Sequence, residues 1–206
     1  MGLISDGTTI FDAGALDSGI AKGAMTFIKK LTADGSGTTL TFLNGSDNVV
    51  FDSTYKEYVF TLNNIHPSGD TVDLEFQVDT GTNTNYNQYI TSTAFRAFHQ
   101  EDGSANGFGY RVNDDQAQGQ SFQRLLHQLS NDNDHGGSGI LHMFNPASST
   151  FVKHFVFTGQ HAGPTHFSRQ WNISGYFNTT TALTRVQFKM HSGNIDAGDI
   201  CLYGIT

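Results

Sequence analysis

The chain has 206 residues, with 11 Lys and Arg against 19 Asp and Glu for a formal net charge of −8, and it carries 23 Gly, 17 Phe, 7 Tyr and only 3 Pro. This length fits one domain with a sizeable core. Phenylalanines outnumbering all Lys and Arg exclude a disordered chain, 15% charged residues exclude a coiled coil, and the acidic balance opposes binding to nucleic acid by phosphate neutralisation.

Two-residue alternation predicts strands near 8–13, 24–32, 38–43, 48–52, 57–65, 71–79, 88–99, 106–112, 139–145, 150–158, 168–177, 183–191 and 199–205. Val72, Leu74, Phe76 and Val78 share one face, with Asp73, Glu75 and Gln77 on a solvent face. Tyr58, Phe60 and Leu62 read as inward, as do Phe151, Phe155 and Phe157 with Lys153 interrupting, and Val186, Phe188 and Met190. Ile200 to Ile205 is apolar on both faces apart from Gly204, which predicts a central strand or one meeting another subunit. Only Gln116 to Leu129, with Phe122, Leu125, Leu126 and Leu129 at helical spacing, offers a helix, and since Gly119 interrupts it a strand or an irregular excursion is an equal alternative.

Three short connections, Asn64 to Val72, Phe144 to Val152 and Phe177 to Val186, share a polar turn format and predict antiparallel neighbours. Longer polar segments at 79–87, 100–106, 113–120, 130–139 and 159–165 predict loops at the ends of the sheets, where binding surfaces are built. Residues 1–23 are too poor in apolar side chains for a core and read as an N-terminal arm, followed by a domain over 24–206.

Cys201 is the only cysteine, which excludes an intrachain disulfide and a Cys-ligated zinc. No basic and apolar leader precedes Ala24, and no window reaches the length of a membrane span, so synthesis in a reducing compartment without membrane insertion is expected. Asn44, Asn172 and Asn178 begin glycosylation sequons that count as chance matches without a leader. The chain has no Gly-x-Ser-x-Gly elbow and no phosphate-binding loop. Its glutamates are Glu57, Glu75 and Glu101, with the first two at solvent-facing strand positions, so a facing carboxylate pair for glycoside hydrolysis is not expected.

His142, His154, His161 and His166 fall within 25 residues and are the nearest approach to a metal set, though their spacing follows no ligand pattern. Asn131-Asp-Asn-Asp-His-Gly-Gly has the composition of a calcium loop without its alternating ligands, and a solvated turn is the default reading. Trp171, Tyr86, Tyr89, Phe108 and Tyr110, in or beside polar loops, are the candidates for stacking on sugars.

Phe188-Lys-Met-His-Ser-Gly-Asn-Ile-Asp-Ala-Gly-Asp-Ile-Cys-Leu-Tyr-Gly-Ile, with Ser53-Thr-Tyr-Lys-Glu-Tyr-Val-Phe and Asn64-Ile-His-Pro upstream, resembles virion proteins of tailed, especially marine, bacteriophages, in which a β-sandwich ends in a Gly-x-Ile-x-Leu-Tyr-Gly strand. The resemblance covers most of 24–206. It implies a protein that decorates the capsid or belongs to the tail or fibre, with other virion proteins as partners, made in the host cytoplasm, and with neither enzymatic activity nor cofactor. The expectation is therefore an all-β, antiparallel sandwich of jelly-roll type with an N-terminal arm and long loops, acting as a multimeric, trimer-like virion structural protein. The alternative is a carbohydrate-binding, lectin-like module that attaches to host surface glycans through its loop aromatics.

Overall fold

The computed structural model describes residues 3–5, 8–12, 15–16 and 23–206. Among these every regular element is a strand, and no helix is long and apolar enough to cross a membrane. In the expected arm, β1 (Leu3–Ser5), β2 (Thr8–Asp12) and β3 (Ala15–Leu16) form a small antiparallel sheet; the rest of the arm lies outside the described residues.

The following strands are β4 (Met25–Thr32), β5 (Thr39–Leu43), β6 (Glu57–Pro67), β7 (Val72–Thr80), β8 (Ile90–Gln100), β9 (Asn106–Tyr110), β10 (Ala117–Gly119), β11 (Gln123–Leu129), β12 (Gly137–Phe144), β13 (Lys153–Gly163), β14 (Phe167–Phe177), β15 (Leu183–Met190) and β16 (Ile195–Ile205). They form two antiparallel sheets packed against each other, a β-sandwich. The larger sheet runs β10-β8-β14-β13-β12-β6-β16-β4 with β9 also on β8, and the smaller runs β11-β7-β15-β5. Eight strands pair in a nested fashion, β4 with β16, β5 with β15, β6 with β12 and β7 with β11, as if one long hairpin had been wound into two layers. The hairpins β8–β9 and β13–β14 extend the larger sheet beyond this nucleus.

Phenylalanines fill the space between the layers. Phe42, Phe60, Phe188, Phe76, Phe155 and Phe177 form a chain of ring contacts with centroids 5.1–6.1 Å apart, and all are at most 1% exposed. Mostly edge-on or tilted, these contacts suit the ring quadrupole, and they join β5 at one side of the sandwich to β14 at the other.

Several sequence expectations are corrected. Of the three short connections, only Phe144 to Val152 joins neighbours in a sheet; Asn64 to Val72 and Phe177 to Val186 cross between layers. Residues 48–52 form no strand, although Val49 and Phe51 are buried, with the Phe51 N–H donating to Asn44 Oδ1 at 2.8 Å. Over 116–129 the helix gives way to its strand alternative, β10, a turn and β11. Register shifts in β11, with Gln128 at φ 63, turn the adjacent Leu125 and Leu126 inward together, and a bulge thus mimics helical spacing. Residues 159–163, expected in a loop, continue β13.

Two expectations of burial are also corrected. Phe151 is 67% exposed while Lys153 is fully buried; its Nζ donates to the carbonyls of Ser148, Phe151 and Thr179 at 2.7, 2.9 and 3.3 Å. On β7, Asp73, Gln77 and Asp79 are buried and Glu75 is partly so, because loops cover that face of the smaller sheet. Gln77 Nε2 donates to the carbonyls of Gln88 and Ser121 at 3.1 and 3.2 Å, while Asp79 accepts from the Tyr86 N–H at 2.9 Å and from Gln88 Nε2 at 3.0 Å.

Candidate functional site

The outward face of the larger sheet is uncharged along two adjacent rows. Strand register aligns Thr61, Ile140, Thr158, Asn172, Phe95 and Tyr110 in one row, and Ser138, Gln160, Gln170, Ala97 and Phe108 in the next. Register partners share a face, so each row is a band of side chains crossing the strands. Thr158 Oγ1 donates to Asn172 Oδ1 at 3.1 Å, and Gln160 Nε2 to Ser168 Oγ at 3.3 Å.

At the β9 edge the rows end in aromatics. In Asn106-Gly-Phe-Gly-Tyr the usual alternation is inverted, with the glycines turned inward and the rings outward. A Cβ on Gly107 would stand 2.8 Å from the Phe98 ring, so glycine is what lets β9 lie over Phe98. Phe108 is 76% and Tyr110 45% exposed. Phe95 joins them, parallel to Phe108 within 5° at 6.2 Å between centroids and edge-on to Tyr110 at 5.3 Å. The Tyr110 hydroxyl donates to the Asp115 carboxylate, which fixes the ring and raises the phenol's pKa.

At the opposite edge of the same sheet, β4 pairs only with β16 among the described residues. Met25 and Phe27 are exposed on it, and Phe27 meets Tyr203 edge-on at 5.6 Å. The expected two-faced terminal strand is present here: Ile200 and Leu202 are buried, while Cys201, Tyr203 and Ile205 are partly exposed. Its glycines have specific tasks. Gly198 adopts φ 111 at a bulge where a Cβ would lie 2.6 Å from the Asn64 carbonyl oxygen, and Gly204 lies under the Tyr55 ring, 2.3 Å from a would-be Cβ.

Of the five predicted sugar-stacking residues, the structure brings together Phe108 and Tyr110. Trp171 does not belong with them: it is 1% exposed on the inner face of β14, beside His127 at 5.9 Å between ring centroids and beneath the Arg96 guanidinium at 5.8 Å. Its polar neighbours had suggested a surface, but in β14 Trp171 alternates inward between Gln170 and Asn172. Tyr86 packs on Phe122 at 5.9 Å. Tyr89 is 48% exposed but precedes β8, six residues from Phe95, or about 20 Å along an extended strand. Phe95 was missed, and the Gly-Phe-Gly-Tyr alternation opposite it was the available signal.

The four histidines separate. His142 Nδ1 contacts Glu57 Oε1 at 2.5 Å, His154 lies beside the Tyr176 ring, and His166 stands 3.8 Å from Glu101. His161 is fully buried, with Nε2 3.2 Å from the Gln128 carbonyl; burial and then the charge of Arg169 push its pKa down to about 3. Among the described residues no three metal-ligating side chains converge. The 131–136 loop is a turn with the His135 N–H on the Asp132 carbonyl at 2.8 Å, and that carbonyl also faces His66 Nε2 at 3.2 Å.

A polar cluster occupies the interior beneath β8 and β14. Asp114, with a fully buried carboxylate, contacts His127 Nδ1 at 2.7 Å, Arg111 Nε at 3.1 Å and Arg124 at 3.2 Å. Burial alone would raise the Asp114 pKa, but these three partners outweigh it and hold the carboxyl below the usual range. Arg124 Nε also reaches Asp73 at 2.9 Å. The cluster joins β7, β11 and the 111–114 turn by charge where aromatic packing ends.

No protein-family model, curated protein or solved structure matches the chain.

Proposed function

We propose that the chain is a non-enzymatic structural protein of a bacteriophage virion, decorating the capsid or forming part of the tail or fibre, and packing as a homotrimer or other multimer with capsid or tail proteins as neighbours. The observation that carries the reading is the β4 edge. An unpaired edge strand presents backbone donors and acceptors to any chain that can align with it, and proteins that remain alone usually shield such an edge with charge or proline. This one carries Lys29 and Lys30 in its second half, but its first half presents Met25 and Phe27 at 47% and 56% exposure, continuous with Tyr203 and Ile205 of the terminal strand. The resemblance of that strand to tailed-phage virion proteins supports the same reading, and the nested pairing of eight strands supports a jelly roll enlarged by two hairpins. Two buried charges are engaged in structure: Asp114 by its cations, Lys153 by three carbonyls.

Mass spectrometry of purified virions tests localisation, and light scattering tests packing. The protein is expected among the virion proteins and as a multimer in solution, and Phe27→Asp is expected to yield monomers of unchanged fold. Absence from virions, or a wild type that stays monomeric at high concentration, would overturn the reading.

A further inference from the structure

We infer that the outward face of the larger sheet, from Phe108 and Tyr110 across Gln170 and Asn172 to Thr158, is a binding site for a neutral saccharide chain. A sugar ring offers a flat patch of C–H bonds on one side and, around its rim, hydroxyls that both donate and accept. Its complement is an exposed aromatic face beside uncharged amides and hydroxyls, and this face provides both.

Phe108 and Phe95 lie parallel within 5° at 6.2 Å between centroids, and Tyr110 meets Phe95 edge-on with its hydroxyl anchored on Asp115. Rings fixed before a ligand arrives lose little freedom on binding. Ala97 stands in register between Phe108 and Gln170, so only a methyl group fills the space between a ring and an amide. Asn172 stands in the same relation to Phe95 without an intervening residue. Among the described residues neither the Gln170 amide nor Asn172 Nδ2 has a hydrogen-bond partner in the protein, whereas Asn172 Oδ1 is oriented by Thr158. Amides carry both a donor and an acceptor, the combination that sugar hydroxyls require.

Charge favours this occupant. In a chain of net charge −8, the eleven positions of the two rows contain no Asp, Glu, Lys or Arg. A charged polymer would find nothing here to pair with, and a neutral glycan needs no such partner. Polar side chains recur at the strand spacing of about 4.8 Å, a repeat suited to successive rings of an extended glycan. A depression of about 550 Å³ over Thr158, Gln160 and Ile140 continues the track toward Thr61 of β6. The aromatic end of the face lies six strand spacings, about 30 Å, across the sheet from the β4 edge, although the track's far end at β6 comes within two, so loss of Phe108 and Tyr110 tests sugar binding without touching Met25 and Phe27.

The test passes the purified full chain over immobilised β-1,4-glucan, β-1,3-glucan, α-glucan and mannan, with alginate as the acidic control, and over an array of neutral oligosaccharides. Retention on at least one neutral glycan is expected, little changed by salt. Phe108→Ala with Tyr110→Ala, and separately Gln170→Ala, are each expected to weaken binding about tenfold or more. Their melting temperatures should remain near wild type, since these side chains are exposed. The inference fails if no neutral glycan is retained, if binding survives both sets of substitutions, or if only alginate binds and salt releases it. It fails equally if Phe108→Ala abolishes a concentration-dependent rise in mass while glycans are ignored, since the face would then belong to a second copy of the chain.

Discussion

His127 Nδ1 stands 2.7 Å from Asp114 Oδ1 inside the sandwich, and the same carboxylate holds Arg111 and Arg124. Asp114 thus balances two guanidinium groups and an imidazole that the fold brings together from a turn and β11, sharing Arg124 with Asp73. Removing a partner from such a buried set leaves charge without compensation, which is costlier than the set's net contribution. Asp114→Ala is expected to destabilise the fold by about 3 kcal/mol in urea titration, and Asp114→Asn by less, because an amide oxygen still accepts from Arg111. Equal stability of Asp114→Ala and wild type would show that the cluster is already solvated.

The acid limb of stability should follow His161. Its folded pKa, about 3 against an ordinary 6.5, means that the unfolded chain binds a proton which the folded chain refuses. Stability therefore falls as pH drops from 6.5 toward 3, by about 2 kcal/mol between pH 7 and pH 5 for this residue alone. Asp114, held below the ordinary carboxyl range, acts with the same sign in a lower window: its stabilisation is full above about 3.8 and disappears only as pH falls through its lower folded pKa. Chemical denaturation at stepped pH checks both, and His161→Gln should flatten the slope between pH 7 and pH 5 while leaving the decline below pH 4.

Lys153 and Phe151 invert the usual roles of a cation and an aromatic. Lys153→Ala removes the donor to three carbonyls and opens space in the core, and should cost about 2–4 kcal/mol. Phe151→Ser, at a residue 67% exposed, should cost under about 0.5 kcal/mol. Thermal melts of the two variants side by side would reveal the reversed outcome if the phenylalanine faced inward.

The two glycines of the terminal strand are expected to respond unequally to alanine. Gly198 combines φ 111 with a backbone oxygen in the path of a Cβ, neither of which can yield cheaply, and Gly198→Ala should cost about 2–4 kcal/mol. At Gly204 the obstacle is the partly exposed Tyr55 ring, which can turn aside, so Gly204→Ala should cost about 1–2 kcal/mol. Loss of the order between the two variants would contradict the bulge geometry.

Alternation located most strands, and Val72 to Val78 and Val186 to Met190 occupy the core face as their pattern indicates. Alternation assigns residues to two faces but does not say which face is dry. On β7 both are, because residues 81–89 and 113–122 cover Gln77 and Asp79, and on β13 a buried Lys153 is satisfied by two carbonyls of the turn before it and by that of Thr179. Turn chemistry was equally incomplete: the same short polar format serves a hairpin at 145–152 and layer crossings at 68–71 and 178–182. For the candidate site, Phe108 and Tyr110 were legible as aromatics beside polar residues. Phe95 and the amide row were not, since only strand register, a property of pairs, sets them side by side.

The nested pairing of β4 with β16 also sets an order of events. Each early strand of the eight-stranded nucleus must wait for a late one, so the sandwich has high contact order, closes slowly and cannot close on the ribosome before β16 has been synthesised. The exposed edge built from Met25, Phe27 and Tyr203 comes into being only with that last pairing. On the proposed reading, docking through it would thereby be confined to molecules whose folding is finished, a safeguard against incomplete chains entering an assembly.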